Sequence, residues 1–416
     1  MNIIRIIQFI QRQIKQIWKG GTSVLVYKVI IAMRLITIIL IGGVSVLACY
    51  AIRPLITIRF GHLYTSRIGH LCYNMDNYLA DRRRRESREF AVFKVDARIS
   101  NIAIYKLWRD KKNVLFTNFA DFPLQFLATF LPNSNLLISW RNELHPEFTV
   151  FSSTPSNIDI KAIDKLEYEK VLDHNGIIYP YICLHNRDSA YLDHYGSDGN
   201  IHDFRDFDFH DFELGINRIT NSGIMAVRLG EKIKTEYKVD NQMFISMTGL
   251  KRSDFSDIVI ISKCLFFVGC NTGFSNVSRI FRKPELLINY IPFRISELSA
   301  LAAGSIILPK KIYKVNNNRY LRYAEMATLP YDIHYPGDFF GDNGLRVEDN
   351  SQEEIADAIM EMWMRVTGRW KDSEAQCQSQ DKFWSSVAHI RYANEVRSQL
   401  GIGISSTFLK KNQFLI

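Results

Sequence analysis

Arginines and small polar residues follow several apolar stretches of this chain, a pattern that can bind phosphate. Arg187 and Arg228 each come directly after an apolar run, and the run FFVG ends in the turn Asn271 to Ser275. A guanidinium grips a phosphate with two parallel hydrogen bonds and stays charged at any physiological pH. A helix that begins after this turn would aim its free N–H groups and the positive end of its dipole at the same anion. The sequence therefore predicts a pyrophosphate site that needs no metal ion.

Each of these features also has an ordinary structural explanation. A single arginine most often forms a salt bridge, and the polar residues of the turn could cap the following helix. Polar and glycine residues, however, follow four apolar runs in the second half of the chain. In parallel α/β sheets the carboxyl ends of the strands form one ligand-binding edge, which favours a binding site. The predicted donor-site residues are His185, Arg187, Arg228, Asn271, Thr272, Gly273 and Ser275.

Two side chains are candidates for a general base. His70 lies where the first predicted strand has just turned into a helix, and a histidine can accept a proton near neutral pH. Asp188 follows Arg187 at the end of an apolar run. An equally good explanation of His70 is that it caps or packs against the start of its helix. Arg67 and Gly69 are expected beside His70, on the acceptor side of a cleft between two domains.

The segment from His202 to Asp211, HDFRDFDFHD, is rich in residue types that bind metals. Its spacing matches no zinc or calcium pattern, and its alternating aromatic residues are typical of a segment with one buried side. We predict no metal site here. The segment is interpreted as one that holds sugar hydroxyls or caps the helix that follows.

Strands that alternate with helical stretches predict an α/β fold with parallel sheets. Strands are predicted at 54–61, 91–95, 114–117, 177–184, 224–227, 242–247 and 266–269, and helices at 68–85, 211–220, 254–263, 352–366 and 383–400. A chain of 416 residues is too long for one ordinary core, so two domains are expected. The polar stretch 152–158 is the expected boundary between them.

The first 54 residues differ from the rest of the chain. The run 35–51 has no charged residue and follows a basic segment that contains Arg5, Arg12, Lys15 and Lys19. A spanning helix usually needs about 20 apolar residues, so this run is slightly short. Three interpretations stay open: a short membrane anchor, a pair of helices that lie in one leaflet, and a buried helix of a soluble domain. We expect membrane association.

The composition is that of a folded protein with a basic surface. Apolar residues make up 47% of the chain, charged residues 23%, and the net charge is +9. This excess suits a partner that carries phosphate, but no recognised motif accompanies the basic residues, so nucleic-acid binding is not expected. The six cysteines contain no CxxC pair, which favours buried thiols over a disulfide framework.

Five segments together resemble a family of glycosyltransferases encoded among bacterial lipopolysaccharide and surface-polysaccharide genes. They are SRIGHL, CLHNRDSAYL, HDFRDFDF, VRLG and SKCLFFVGCNTGFSNVSRIFRKP, and the resemblance covers about residues 58–311. HNRDS is also similar to the His-x-Arg-Arg segment of fucosyltransferases, although Arg187 stands here without a second arginine. The strand and NTG turn are similar to the donor site of heptosyltransferases.

The resemblance implies a GT-B fold, in which two Rossmann-like domains face a cleft, here preceded by a hydrophobic N-terminal helical segment. It implies transfer of a sugar from a nucleotide sugar to a lipid-linked or core-oligosaccharide acceptor at the cytoplasmic face of the inner membrane. Beyond the nucleotide sugar no cofactor is expected. The expected parts are a membrane-association segment (1–54), an acceptor-side domain (55–158), a donor-binding domain with C-terminal helices (159–400) and a tail (401–416).

Two other functions remain compatible with these residues. A sugar-nucleotide epimerase can use the same fold and phosphate site, but it would need no membrane segment. A scaffold without catalytic activity would keep the membrane segment and the core, but would lose affinity for the donor.

Overall fold

The computed structural model describes residues 3–84, 88–138, 154–160, 165–194, 203–249, 252–332, 335 and 338–416. The chain forms two compact units. The smaller comprises residues 1–63, 87–96 and 109–140, and the larger comprises residues 64–86, 97–108 and 141–416. The chain therefore passes between the units several times, and the domain limits expected above stay a prediction.

The smaller unit holds a three-stranded parallel sheet and the N-terminal helices. Its strands pair in the order β1 (Thr57–Leu63), β2 (Glu89–Val95) and β3 (Val114–Phe116). The N-terminal helix α1 (Ile3–Thr37) continues through one π-helical turn, Ile38–Gly42, into α2 (Gly43–Ile52), which lies near α5 (Asp121–Phe130). A Cβ atom added at Gly42 would lie 2.5 Å from the Phe122 carbonyl oxygen, so the π-helical turn and α5 approach closely because this residue has no side chain.

One helical stretch among the described residues is long and apolar enough to cross a membrane. It runs from Trp18 to Ile52 and has a mean hydropathy of 2.5. This agrees with the hydrophobic N-terminal segment expected from the sequence.

The larger unit is built on a seven-stranded sheet in which every neighbouring pair is parallel. The strand order is β13-β9-β8-β7-β4-β5-β6. The strands are β4 (Tyr181–Leu184), β5 (Met225–Gly230), β6 (Phe244–Thr248), β7 (Phe267–Gly269), β8 (Glu285–Tyr290), β9 (Ile306–Pro309) and β13 (Gly403–Ile404). A small antiparallel sheet consists of β10 (Lys311–Lys314), β11 (Arg319–Tyr320) and β12 (Leu345–Glu348). The α/β class with parallel sheets predicted from the sequence is confirmed.

The central strands are fully buried, and helices cover the sheet. β4, β5, β7 and β8 have no exposed residue, as expected for parallel strands that are covered on both faces. The remaining helices are α3 (Ile68–Arg84), α4 (Ile102–Arg109), α6 (Lys165–His174), α7 (Ala190–His194), α8 (Glu213–Asn221), α9 (Asp254–Lys263), α10 (Ser275–Ile280), α11 (Tyr323–Ala327), α12 (Phe339–Asp342), α13 (Gln352–Val366), α14 (Glu374–Ser386), α15 (Ala393–Leu400) and α16 (Ser406–Lys411).

Two sequence-based element limits are wrong for identifiable reasons. The helix predicted over 383–400 is two helices, α14 and α15, because Tyr392 between them has a left-handed backbone with φ of 70°. The strand predicted over 224–227 extends to Gly230, so that Arg228 is a buried strand residue. A charged residue in the middle of a strand was taken for the end of that strand.

A contact between two glycines brings α3 against the turn before α10. A Cβ atom added at Gly69 would lie 2.8 Å from the Gly273 Cα atom and 3.1 Å from the side-chain Nδ2 atom of Asn276. Both glycines belong to the larger unit. Because the contact joins backbone to backbone, neither side can yield by a simple side-chain rotation. The first turn of α3, which carries His70, is thereby fixed beside the turn at Gly273.

This contact predicts a selective cost for adding a methyl group at Gly69. Gly69→Ala should lower the free energy of unfolding by about 1–3 kcal/mol, because overpacking must move backbone. Gly215→Ala is the matched control: its new Cβ atom would lie even closer, at 2.6 Å, but to the flexible Cδ1 end of Ile359. Denaturant unfolding of both variants checks this, and an equal or larger loss for Gly215→Ala would contradict it.

Candidate functional site

The order β7-β4-β5 places three predicted groups at one edge of the sheet. β4 pairs with β5 on one side and β7 on the other, and all three strands run the same way. The residues after β4 (His185 to Ser189), the last residues of β5 and the turn after β7 (Cys270 to Gly273) therefore lie at the same carboxyl edge. This is the edge where ligands bind in open parallel sheets.

Arg228 lies below this edge as a buried cation. It is 1% exposed, and its guanidinium lies 3.9 Å from the centroid of the Phe209 ring. It donates to the Thr235 carbonyl at 3.2 Å and to Asn186 Oδ1 at 3.4 Å, while its Nε has no partner among the described residues. Burial lowers the arginine pKa, and the carboxylates of Asp188 and Asp208 oppose that shift.

Arg187 and Lys310 meet around Asp206. Arg187 forms an ion pair with the Asp206 carboxylate. Lys310, which follows β9 and is 2% exposed, donates to the Asp206 carbonyl at 3.1 Å and pairs with Asp349 at 2.6 Å. The buried thiol of Cys270 has a raised pKa because of its burial, and the positive charges of Arg187, Lys310 and Arg205 oppose that shift. Three cations therefore surround the end of β7.

Arg205, like Lys310, is a cation of this cluster that sequence analysis did not single out. It donates to the Asn271 carbonyl at 3.5 Å and to the Tyr331 hydroxyl. Its Nε is buried without a hydrogen-bond partner, and it forms no ion pair with a carboxylate among the residues that the structure describes. The sequence signal was the HDFRDFDF segment, in which Phe207 and Phe209 are buried as the aromatic alternation predicted. His202 of that segment lies outside the described residues.

Two buried polar atoms of the NTG turn have no hydrogen-bond partner among the described residues. The Asn271 amide nitrogen donates to the Ile291 carbonyl at 2.9 Å, but its Oδ1 is buried without a partner, as is the Thr272 hydroxyl. Ser275 is fully buried and donates to the Thr272 carbonyl at 2.7 Å, so its hydroxyl closes the turn. Buried polar atoms without partners are rare in folded proteins, and a ligand or water is one explanation of them.

The helix after this turn contributes less than the sequence suggested. α10 has six residues, which is too short for an anion site at its N-terminus to rest on the helix dipole alone. A phosphate site here would therefore depend mainly on the side chains around the turn.

His185 has a packing role at this edge. Its Nδ1 donates to the Leu229 carbonyl at 3.0 Å, and its ring lies 4.7 Å from the Phe274 ring, centroid to centroid. Burial lowers the pKa of His185, so that its neutral form is favoured. It joins β4, β5 and the NTG turn.

The two candidate bases have different surroundings. Asp188 accepts from the backbone N–H of Ala190 at 3.1 Å and of Lys234 at 3.0 Å, so that it holds two loops together. His70 is exposed, lies 5.5 Å from the Tyr64 ring, and accepts from the Asn74 amide at 3.3 Å. Arg67 is exposed directly before α3, and its carbonyl accepts from Leu71. Gly69 joins this group to the NTG turn.

A polar cavity of about 340 Å³ opens beside β4 and β5. Asp188, Asp206 and Asp208 contribute carboxylates to its wall, and Arg228 and Lys234 contribute cations. The pKa of Asp208 is lowered because the backbone and side chain of His210 donate to it. Burial and the nearby carboxylates of Asp349 and Asp208 raise the pKa of Asp211 to about 6.

Comparison with models of known protein families gives no match, and no curated protein sequence matches. Several solved structures show some likeness. Heptosyltransferase II of E. coli is 10% identical, with a TM-score of 0.41 over 60% of this chain and 90% of that chain. TibC, described as a dodecameric iron-containing heptosyltransferase in complex with ADP-D-beta-D-heptose, is 11% identical, with a TM-score of 0.41 over 75% of this chain and 76% of that one. A family 9 glycosyl transferase from Veillonella parvula is 10% identical, with a TM-score of 0.41 over 61% and 86% of the two chains.

The opposite pKa shifts of Asp211 and Asp208 predict opposite pH responses. Asp211 ionises less readily in the folded chain than in the unfolded chain, so its contribution to stability falls as pH rises from about 4 to about 6. Relative to wild type, Asp211→Asn should gain stability as pH rises through this range. Asp208 has a lowered pKa, so Asp208→Asn should lose stability relative to wild type as pH rises. Melting temperatures between about pH 4 and pH 7 check Asp211→Asn, and those below about pH 4, where the lowered pKa of Asp208 lies, check Asp208→Asn. Parallel profiles for the two variants would contradict the assignment.

Proposed function

We propose that the protein is a glycosyltransferase that takes a sugar from a nucleotide sugar and transfers it to a lipid-linked or core-oligosaccharide acceptor. One observation carries the proposal: a guanidinium and a histidine flank the same glycine turn. Arg205, without a carboxylate partner among the described residues, donates to Asn271, and the helix turn that carries His70 packs on Gly273. The proposed phosphate-binding cation and the helix turn that carries the candidate base thus both contact the NTG turn.

The donor diphosphate is proposed to bind at the carboxyl edge near the NTG turn. Arg205 Nε, Asn271 Oδ1 and Thr272 Oγ1 are buried atoms with unused hydrogen-bonding capacity there. Arg205 would bind the diphosphate itself, and the Asn271 and Thr272 oxygens would accept from hydroxyl groups of the sugar or ribose. Arg187, Lys310 and Arg228 would add positive potential, although each already has protein partners.

Cations held in place by the fold would favour this reaction because negative charge develops on the leaving diphosphate. When the glycosidic bond to the leaving diphosphate breaks, negative charge grows on the diphosphate. Donors held in place by the fold stabilise that charge more in the transition state than in the ground state, which lowers the barrier. The acceptor hydroxyl needs a base, for which His70 and Asp188 stay the candidates. His70 is the more accessible of the two, since both Asp188 oxygens accept backbone bonds.

The resemblance to surface-polysaccharide glycosyltransferases and the apolar N-terminal helix support an acceptor held at the cytoplasmic face of a bacterial inner membrane. Metal independence is part of the proposal, because the cations around the turn can take the role of a metal ion in charge stabilisation. The sugar-nucleotide epimerase and the scaffold without activity remain the competing functions. Membrane localisation argues against the epimerase, and nucleotide-sugar binding argues against the scaffold.

Arg205→Ala should abolish donor binding. A donor at a hundred times its dissociation constant stabilises the wild type by about 2.7 kcal/mol, which a thermal-shift screen with UDP-, GDP-, ADP- and CMP-sugars can detect. The matched control is Arg369→Ala, since Arg205 lies 5.6 Å from the Phe204 ring centroid and Arg369 lies 4.1 Å from the Trp363 ring centroid. The control should respond to the same nucleotide as the wild type, and Arg205→Ala should not.

Three results would count against the proposal. A folded wild type that responds to none of the nucleotides would favour the scaffold. An Arg205→Ala variant that responds fully would remove Arg205 from the site. Binding followed by release of an epimerised nucleotide sugar, without transfer to any acceptor in membrane extracts, would favour the epimerase.

A further inference from the structure

The excess of positive over negative charge in this protein lies in its first 75 residues. They contain nine lysines and arginines and no aspartate or glutamate, since the first acidic residue is Asp76. The net charge of the whole chain is also +9, so residues 76–416 carry equal numbers of basic and acidic side chains. The basic excess is therefore not a property of the donor site. It belongs to the segment that holds the apolar helix.

The sequence of the first arm, residues 3–20, has the pattern of a helix with one basic face and one apolar face. Arg5, Arg12, Lys15 and Lys19 recur at spacings of seven, three and four, the periodicity of one side of a helix. By the same periodicity, the opposite sequence positions are Ile3, Ile6, Ile7, Ile10, Ile14, Ile17 and Trp18. The structure leaves Arg12, Lys15 and Lys19 exposed, and Trp18 is 85% exposed. A basic amphipathic helix of this kind binds in the interface of an anionic membrane.

A sharp bend separates this arm from the apolar arm that follows. Gly21 has φ of 64° and ψ of −157°, which interrupts the helix. Beyond the bend, Lys28 Nζ donates to Gln16 Oε1 at 2.9 Å. Residues twelve apart would be separated by about 18 Å along a straight helix, so the two arms cannot be collinear.

The apolar arm begins to contact α5, within the smaller unit, at Arg34. Arg34 lies 4.0 Å from the carboxylate of Asp121, the first residue of α5, and from Ile38 onward one face of the helix is buried. Only residues 22–33 precede that attachment, a length of about 18 Å, compared with a hydrocarbon core of about 30 Å. The side chains of Val26, Ile30 and Met33 in this stretch are more than half exposed.

We propose that residues 3–37 form an in-plane anchor that binds anionic phospholipid in one leaflet and does not cross the membrane. The basic face of the first arm contacts the headgroups, and the apolar faces of both arms enter the upper part of the acyl region. Charge complementarity selects the partner, because the anchor carries six basic residues and no acidic residue, which matches a phosphate-rich surface. The anchor extends the membrane association in the proposed function, and its tests use no nucleotide sugar, so either proposal can fail alone.

Vesicle flotation of the full-length protein tests the lipid preference. Detergent-purified protein is diluted into vesicles of phosphatidylcholine with or without phosphatidylglycerol. Binding should require phosphatidylglycerol and weaken at high salt. Replacing Arg5, Arg12, Lys15 and Lys19 with Gln should weaken it roughly tenfold or more. A variant with R5K, R12K, K15R and K19R should bind like the wild type. So should Gln at Lys165, Lys170, Lys371 and Lys410, which removes four exposed charges from the larger unit. The proposal would be overturned if the wild type bound both vesicle types equally, or if the variant with Gln in place of Arg5, Arg12, Lys15 and Lys19 bound as well as the wild type.

Cysteine labelling in spheroplasts of an expressing bacterium tests whether the segment crosses the membrane. Gln16→Cys places a thiol on the first arm, and the native exposed Cys377 in the larger unit serves as an internal reference. With an impermeant maleimide, the proposal predicts that both thiols are labelled only after lysis. Labelling of the thiol at position 16 in intact spheroplasts, with Cys377 still protected, would show a transmembrane arrangement and overturn the anchor.

Discussion

The parallel pairing of β7, β4 and β5 is the constraint on which the candidate site depends. Because these strands run the same way and are adjacent, the ends of all three converge on one edge of the sheet. Residues far apart in the chain then meet: Arg187 after β4, Cys270 after β7 and Lys310 after β9 lie in one electrostatic environment. Parallel strands also bury both faces, so polar groups can be exposed mainly at the strand ends.

The cations at this edge divide into two roles. Arg187 and Lys310 form ion pairs with Asp206 and Asp349. Arg228 and Arg205 have only carbonyl, amide or hydroxyl acceptors in the described part of the chain, but Arg228 is 1% exposed whereas Arg205 is partly exposed. A cation whose charge is not neutralised by the protein is the one best able to neutralise a ligand. The neighbouring pairs hold the loops in place.

Sequence reasoning predicted the α/β class, most central strands and the helices at 254–263 and 352–366, because those signals are local. It also predicted the three strands of the first half of the chain, β1, β2 and β3. It did not find Arg205, whose role depends on the fold bringing a loop against Asn271. It also placed Arg67, Gly69 and His70 on an acceptor domain opposite the donor site, whereas α3 packs on α10 within the larger unit. Long-range contacts of this kind leave no periodic signal in one sequence.

The charge distribution assigns the proposed membrane binding and the proposed nucleotide-sugar binding to different parts of the chain. If the basic excess were spread over the whole chain, any anionic partner would be attracted to every face, and the donor would compete with phospholipid for the same potential. Residues 76–416 carry no net charge, so the proposed donor recognition would rest on short-range geometry around Arg205 and the NTG turn. The proposed long-range attraction to phospholipid would come from the bent N-terminal segment. High salt should therefore affect membrane binding more than donor binding, because exposed charges are screened and partly buried ones are screened much less.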